Sequence, residues 1–292
     1  MKRTKLAVIA AAVALTLGAC GSAGTDDENP IDNDVASDAA AQFEDGTAMK
    51  ALAEAGTVKI GVKFDQPGLG FKAAGQDQPT GFDVEMAKIV AAELGIAADK
   101  IEWVETISDN REPFLQQDTV DFVFASYSIT DDRRKVVGQA GPYFLTGQQL
   151  LVKKGSDIKS VADIKGKEVC SVTGSTSLKN VEAEGAKARG FETYSQCRDQ
   201  VLDGAVDSMS TDGSILLGYA ALNPDELEVV GDAFSEERIG MGYSQDKPEL
   251  CQFLTDSIKK AQDDGRWAKA FEATLGKSGA ETPEPPAMDA CA

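Results

Sequence analysis

The sequence predicts an α/β protein of two lobes built on parallel-rich sheets. Strand-like and helix-like stretches alternate in two separate runs, and two extended segments stand between those runs. About 240 residues follow a polar N-terminal region, enough for two domains of ordinary size.

The first 19 residues read as a signal peptide. Lys2, Arg3 and Lys5 precede the apolar run from Leu6 to Leu17, which ends in Leu17-Gly18-Ala19-Cys20. That run is too short to cross a bilayer core, which takes about 20 residues. Leu-Gly-Ala-Cys matches the lipobox, so Cys20 is expected to be the lipidated first residue of the mature chain. Two or more acyl chains, palmitate among them, would hold it on the outer face of the cytoplasmic membrane. Residues 20–50 are expected to be a flexible tether: Asp26, Asp27, Glu28, Asp32, Asp34, Asp38, Glu44 and Asp45 fall there with no basic residue before Lys50.

Thr57–Val62 is read as a strand, Phe82–Leu94 as a helix and Lys100–Glu105 as a strand. Glu112–Gln117 is a helical turn, Val120–Phe124 a buried strand, and a helix lies near Asp131–Val137. Gln148–Lys153 is an extended crossing. Alternation restarts with Lys167–Ser171 (strand), Ser177–Ala188 and Cys197–Leu202 (helices), Ala205–Ser210 (strand) and Ser214–Ala221 (helix). Arg238–Tyr243 is the second crossing, and the helices Lys247–Asp263 and Arg266–Leu275 close the chain. The first lobe is then expected over 51–146 and 239–292, the second over 147–238.

The net charge is −19, or −22 without the three basic residues of the signal segment, which holds no acidic one. Nucleic acid and polyanion partners are disfavoured, and an anionic ligand must be held by a local cationic cluster. With no histidine in the chain, Ser-His-Asp and Cys-His catalysis and the common zinc sites are excluded. No enzyme, cofactor or metal site is expected. Cys170, Cys197, Cys251 and Cys291 allow three pairings, and proximity along the chain favours Cys170–Cys197 with Cys251–Cys291.

Six motifs occur in order between about Gly56 and Gly276: Gly81-Phe-Asp-Val-Glu, Val120-Asp-Phe, Ser128-Ile-Thr-Asp-Asp-Arg, Gly174-Ser-Thr-Ser, Gly204-Ala-Val-Asp-Ser and Asp264-Gly-Arg-Trp. Together they resemble the type II, two-lobe solute-binding proteins that feed polar amino acids to ABC transporters. Lys63-Phe-Asp-Gln-Pro and Ser108-Asp-Asn-Arg-Glu-Pro resemble the glutamate/aspartate-binding branch. The resemblance implies two hinge strands, a monomer that closes on a small ligand, and a permease partner in the membrane. A sensor lipoprotein reporting to a membrane partner would carry the same sequence features.

The residues carry a matching chemistry. A free amino acid presents an ammonium and an α-carboxylate. Arg133 follows Ser126-Tyr-Ser128 at a strand's C-terminal end, where open α/β sheets bind ligands, and a guanidinium grips a carboxylate through paired N–H groups. Taken alone, Asp-Asp-Arg-Arg is more often a capped, exposed helix start; only its position after the hydroxyl strand raises Arg133 above that, and the resemblance assigns it the α-carboxylate. Ser175 and Thr176 either cap a helix or touch the ligand, and the resemblance favours contact. Asp212 matches the family's ammonium-binding carboxylate, or caps the following helix, or both. Lys63 and Arg111, with Ser108, fall where the resemblance places the ligand's distal end. Two added cations suit a second carboxylate, giving glutamate as the expected ligand, with aspartate, glutamine and asparagine as alternatives.

Overall fold

The computed structural model describes residue 31 and residues 33–291. The signal segment, Cys20 and the first part of the acidic stretch lie outside the described residues. In chain order come α1 (Ala39–Gln42), α2 (Ala48–Ala55), β1 (Val58–Val62), β2 (Asp65–Gln66), β3 (Gly70–Phe71), α3 (Phe82–Glu93) and β4 (Ile101–Glu105). Then follow α4 (Arg111–Gln116), β5 (Phe122–Ser128), α5 (Asp131–Arg134), β6 (Gly138–Thr146), β7 (Gln148–Lys153), β8 (Glu168–Val172) and α6 (Thr176–Ala183). The chain continues through β9 (Lys187–Phe191), α7 (Tyr194–Asp203), β10 (Ser208–Asp212), α8 (Gly213–Leu222) and β11 (Leu227–Val230). It ends with β12 (Glu237–Tyr243), α9 (Leu250–Asp263) and α10 (Arg266–Ala273).

Two five-stranded sheets form the two lobes, ordered β4-β1-β5-β12-β6 and β11-β7-β10-β8-β9. In the first, β1 runs parallel to β4 and β5, while β12 lies antiparallel between β5 and β6. In the second, β8 runs parallel to β9 and β10, and β7 is antiparallel to β10 and β11. The chain leaves the first sheet after Thr146 and enters the second at Gln148, so one crossing is the single residue Gly147. A Cβ there would meet Ala233 Cβ and Ser235 O at 2.6 Å, which shows that the outgoing and returning crossings run side by side. The mixed, parallel-rich two-lobe architecture is the one expected.

The motifs act in packing. Gly81 has φ +125°, and a side chain there would strike Leu69 O at 2.2 Å, so only glycine lets α3 start against that turn. Phe82 then packs edge-on against Trp267 and Phe271, and the Trp267 Nε1–H donates to Tyr143 O at 2.8 Å. Arg266 ties Asp264 to Glu93 on α3.

Several expectations need correction. The tether does not extend to residue 50. Ala36 N–H donates to Ala92 O at 3.0 Å, Ala39 is buried, Phe43 meets Phe253 edge-on at 5.7 Å, and Ala48 N–H donates to Glu249 Oε1. A few apolar residues scattered among the acids dock this segment on the first lobe. Gln148–Lys153 and Arg238–Tyr243 are sheet strands flanking the crossings and not the crossings themselves. The helix expected to Ala188 stops at Ala183, and β9 follows as an edge strand with no buried residue. The strand β6 was unassigned because Gly138, Gly141 and Pro142 interrupt its apolar pattern.

Cys170 pairs with Cys197 inside the second lobe, and Cys251 with Cys291 inside the first. No bridge between described residues joins the lobes. The second bridge fixes the C-terminal tail, where Asp289 accepts from Arg134 and Arg238 and Gln262 donates to Pro286 O. Replacing either pair by serine is expected to lower the unfolding free energy by about 2–4 kcal/mol in urea titration. A pair whose removal costs nothing would mean that its loop is not constrained by the bridge.

Candidate functional site

The nine expected site residues meet in one narrow cleft between the lobes. Lys63 (just after β1), Ser108, Arg111 (first residue of α4), Ser126 and Ser128 (end of β5) and Arg133 (α5) form one wall. Ser175 and Thr176 at the start of α6 and Asp212 at the end of β10 form the other. Gln66, Ser177, Tyr194, Thr211 and Ile215 complete the lining; sequence reasoning did not assign them to the site, although Gln66 lay within the motif quoted for Lys63 and Ser177 within Gly174-Ser-Thr-Ser.

The cations are buried, with Lys63 4%, Arg111 3% and Arg133 8% exposed. Buried charge must be compensated, and most of the compensation here is backbone. Arg111 donates to Ser108 O, Ala125 O, Ser126 O and Gly174 O at 3.1–3.2 Å. Arg133 donates to Ser128 O at 2.7 Å, to Gly174 O at 3.0 Å and to Glu112 at 3.1 Å. Both guanidiniums lie over the Tyr127 ring, at 4.6 and 4.8 Å, a favourable cation–π placement. A guanidinium has five N–H donors, so among the described residues Arg111 keeps about one and Arg133 about two for a ligand. Lys63 donates to Ser108 Oγ at 2.9 Å and keeps about two of its three N–H donors.

Burial, reinforced by the charge of Arg111, pushes the Lys63 ammonium down to about 7. Burial in turn pushes the Asp212 carboxyl up to about 8, and the nearby Glu237 adds to that rise. Asp212 sits at the cap position of α8, yet its side chain makes no capping hydrogen bond. Ser175 does cap: its Oγ accepts from Leu178 N–H at 3.0 Å. Thr176 Oγ1 donates to Glu237 at 3.1 Å and lies 3.4 Å from Ser128 Oγ across the cleft.

A supporting residue hidden in the Gly-Phe-Asp motif is Asp83. Its buried carboxylate accepts from Ser126 N–H at 2.8 Å and Tyr143 O–H at 2.8 Å, with Ser126 Oγ 3.2 Å away. Burial raises it to about 6. These bonds hold Ser126 at φ +45°, a conformation few non-glycine residues adopt. Among the described residues the buried Gln66 Nε2 has no hydrogen-bond partner, while its Oε1 accepts from Ser126 Oγ at 2.5 Å.

The raised Asp212 value has a sign that can be tested. A carboxyl whose folded value (about 8) lies above its ordinary 3.8 favours the fold while protonated. That contribution is lost as pH rises between the two values. The stability of Asp212→Asn relative to the parent, both without ligand, should therefore grow from about pH 4 to about pH 9 in thermal unfolding. A difference that is flat or shrinks with pH would contradict the assignment.

The cleft geometry and the motif order coincide with a family. Residues 58–277 match the model for bacterial extracellular solute-binding proteins, family 3. The glutamate-binding protein GluB of Corynebacterium efficiens is 36% identical over 247 residues, covering 80% of this chain and 84% of that protein. The ABC transporter glutamine-binding protein GlnH of Bacillus subtilis is 32% identical over 279 residues, covering 94% and 98%. Among solved structures, an ancestral arginine-binding protein bound to glutamine superposes with a TM-score of 0.71 at 35% identity, covering 76% of this chain and 98% of that one. With a family match over most of its length and a two-lobe fold around a buried cleft, this chain belongs to the family 3 bacterial extracellular solute-binding proteins.

Proposed function

We propose that this protein captures an acidic amino acid, L-glutamate foremost, by closing its lobes, and delivers it to an ABC importer from a lipid-anchored position outside the cell membrane. The single observation that carries the ligand reading is the presence of two buried cations, Lys63 and Arg111, in the cleft beside Arg133 and Asp212. Arg133 and Asp212 are a matched pair for the α-carboxylate and ammonium that every amino acid carries. Lys63 and Arg111 are then surplus positive charge, and a second carboxylate is its natural complement. Their parts differ: Lys63 keeps more donors and supplies hydrogen bonds, whereas Arg111, largely engaged by carbonyls, supplies field. The relatives support this class, since GluB is a glutamate-binding protein and GlnH a glutamine-binding protein of an ABC transporter. Glutamine is the chief competitor.

Calorimetric titration of four variants with both ligands tests the assignment. Arg133→Ala and Asp212→Ala should nearly abolish binding of either, since an unpaired buried charge costs about 3–5 kcal/mol. Lys63→Met and Arg111→Met should weaken glutamate by about a hundredfold, or roughly 2.7 kcal/mol, while glutamine changes far less or improves. Equal losses for both ligands would remove glutamate as the assignment. For the anchor, Cys20→Ser should abolish acylation and release the protein from the membrane fraction; retention at parental levels would refute the lipoprotein reading.

A further inference from the structure

We infer that Asp65 is a positioning residue that latches the two lobes together and sets how long the closed form lasts, without touching the ligand. The inference rests on the binding-protein reading above. Asp65 lies on β2 of the first lobe, two residues from Lys63 and next to Gln66, but is not part of the cleft lining. Its carboxylate crosses to the second lobe and accepts from the backbone N–H groups of Tyr194 (2.8 Å) and Ser195 (3.2 Å). The Tyr219 hydroxyl, also on the second lobe, reaches both the Asp65 carbonyl oxygen and its Oδ2.

Hydrogen-bond accounting at α7 explains why this contact matters. The first turn of a helix has N–H groups with no partner inside the helix. Thr193 Oγ1 takes that of Gln196, and Gln196 reaches back to the N–H groups of Glu192 and Thr193. The N–H groups of Tyr194 and Ser195 are left, and both go to Asp65. A carboxylate there also meets the positive end of the helix. Opening the lobes returns these groups to water. Beside them Gly218 passes so close to Pro67 that a Cβ would sit 2.3 Å from its carbonyl oxygen, so the approach of the lobes is tight.

The latch is wired to the site on both sides. Tyr194 lines the cleft, and Cys197, one turn further along α7, is bonded to Cys170 on β8. That strand runs directly into Gly174, whose carbonyl oxygen accepts from Arg111 and Arg133, and into Ser175 and Thr176. Docking of α7 on Asp65 thus delivers the Gly174–Thr176 segment to the arginines as one rigid piece.

Stopped-flow kinetics on Asp65→Ala and Tyr219→Phe test the proposal. Asp65→Ala should raise the dissociation rate of glutamate and of glutamine by a similar factor, about tenfold or more, with the association rate little changed. In a double-mutant cycle the two substitutions should be non-additive. Loss confined to one ligand would mean that Asp65 reads the ligand's side chain, and an unchanged dissociation rate would mean there is no latch; either overturns the proposal. A dye pair on Glu102→Cys and Lys187→Cys, one exposed site per lobe, reports the closed population directly. Asp65→Ala should lower that population whatever the ligand is, so a parent that binds no amino acid refutes the functional reading while this arm still decides the latch.

Discussion

The constraint on which the structure depends is the burial of three cations within reach of one another. Lys63, Arg111 and Arg133 are each less than a tenth exposed, and isolated charges are not tolerated there. Carbonyl oxygens answer this constraint more than acidic side chains do. The end of β5, the turn at Ser108 and the loop at Gly174 all point backbone oxygens at the guanidiniums, and the Tyr127 face lies beneath both. Neutral acceptors leave the positive field of the cleft largely uncancelled, in a protein whose overall charge is −19. Gly174 is the focus of this arrangement: its carbonyl is the point where the second lobe accepts from both arginines. At φ +77°, and with Asp109 Oδ1 only 2.2 Å from where a Cβ would be, any other residue there would be strained and would push Asp109 aside.

Much of this was legible in the sequence, for identifiable reasons. Strands buried on both faces, such as β5, read as apolar runs, and α3 is marked by its Gly-Phe-Asp start. The same motif also hides a second role, because Asp83 serves Ser126 some forty residues away, and nothing local announces that bond. What escaped was structure whose cause is tertiary. Edge strands such as β9 are held by a neighbour and need no apolar alternation of their own. The docked stretch around Ala36–Phe43 is acidic and poor in large apolar residues, so composition pointed to a tether. A few small contacts with α3 and α9 are enough to seat it. Likewise Gln66 and Tyr194 reach the cleft only because the lobes face each other.

Lys63 and Asp212, on opposite walls of the cleft, have opposite needs. Lys63 is pressed toward its neutral form and Asp212 toward its protonated form. A ligand that brings an ammonium to one and a carboxylate to the other relieves both strains together. An apolar or singly charged molecule of the same size relieves at most one. On the proposed reading, selectivity comes from leaving the wrong ligand with an uncompensated buried group as much as from gripping the right one.

The hinge enters the same balance. Glu237 is the first residue of β12, directly beyond the returning crossing, and it is buried. It accepts from Ser235 in that crossing and from Thr176 and Asn180 of the second lobe. Its charge is also the largest influence, after burial itself, that keeps the proton on Asp212. A ligand ammonium beside Asp212 therefore offsets negative charge held at the hinge as well as at the cleft wall. That compensation is realised only when both lobes surround the ligand, since Glu237 and Arg133 belong to the first sheet's lobe and Asp212 to the second. On the proposed reading binding and closure are one event, and the backbone accommodates it at both crossings, the single residue Gly147 and the returning segment beside it.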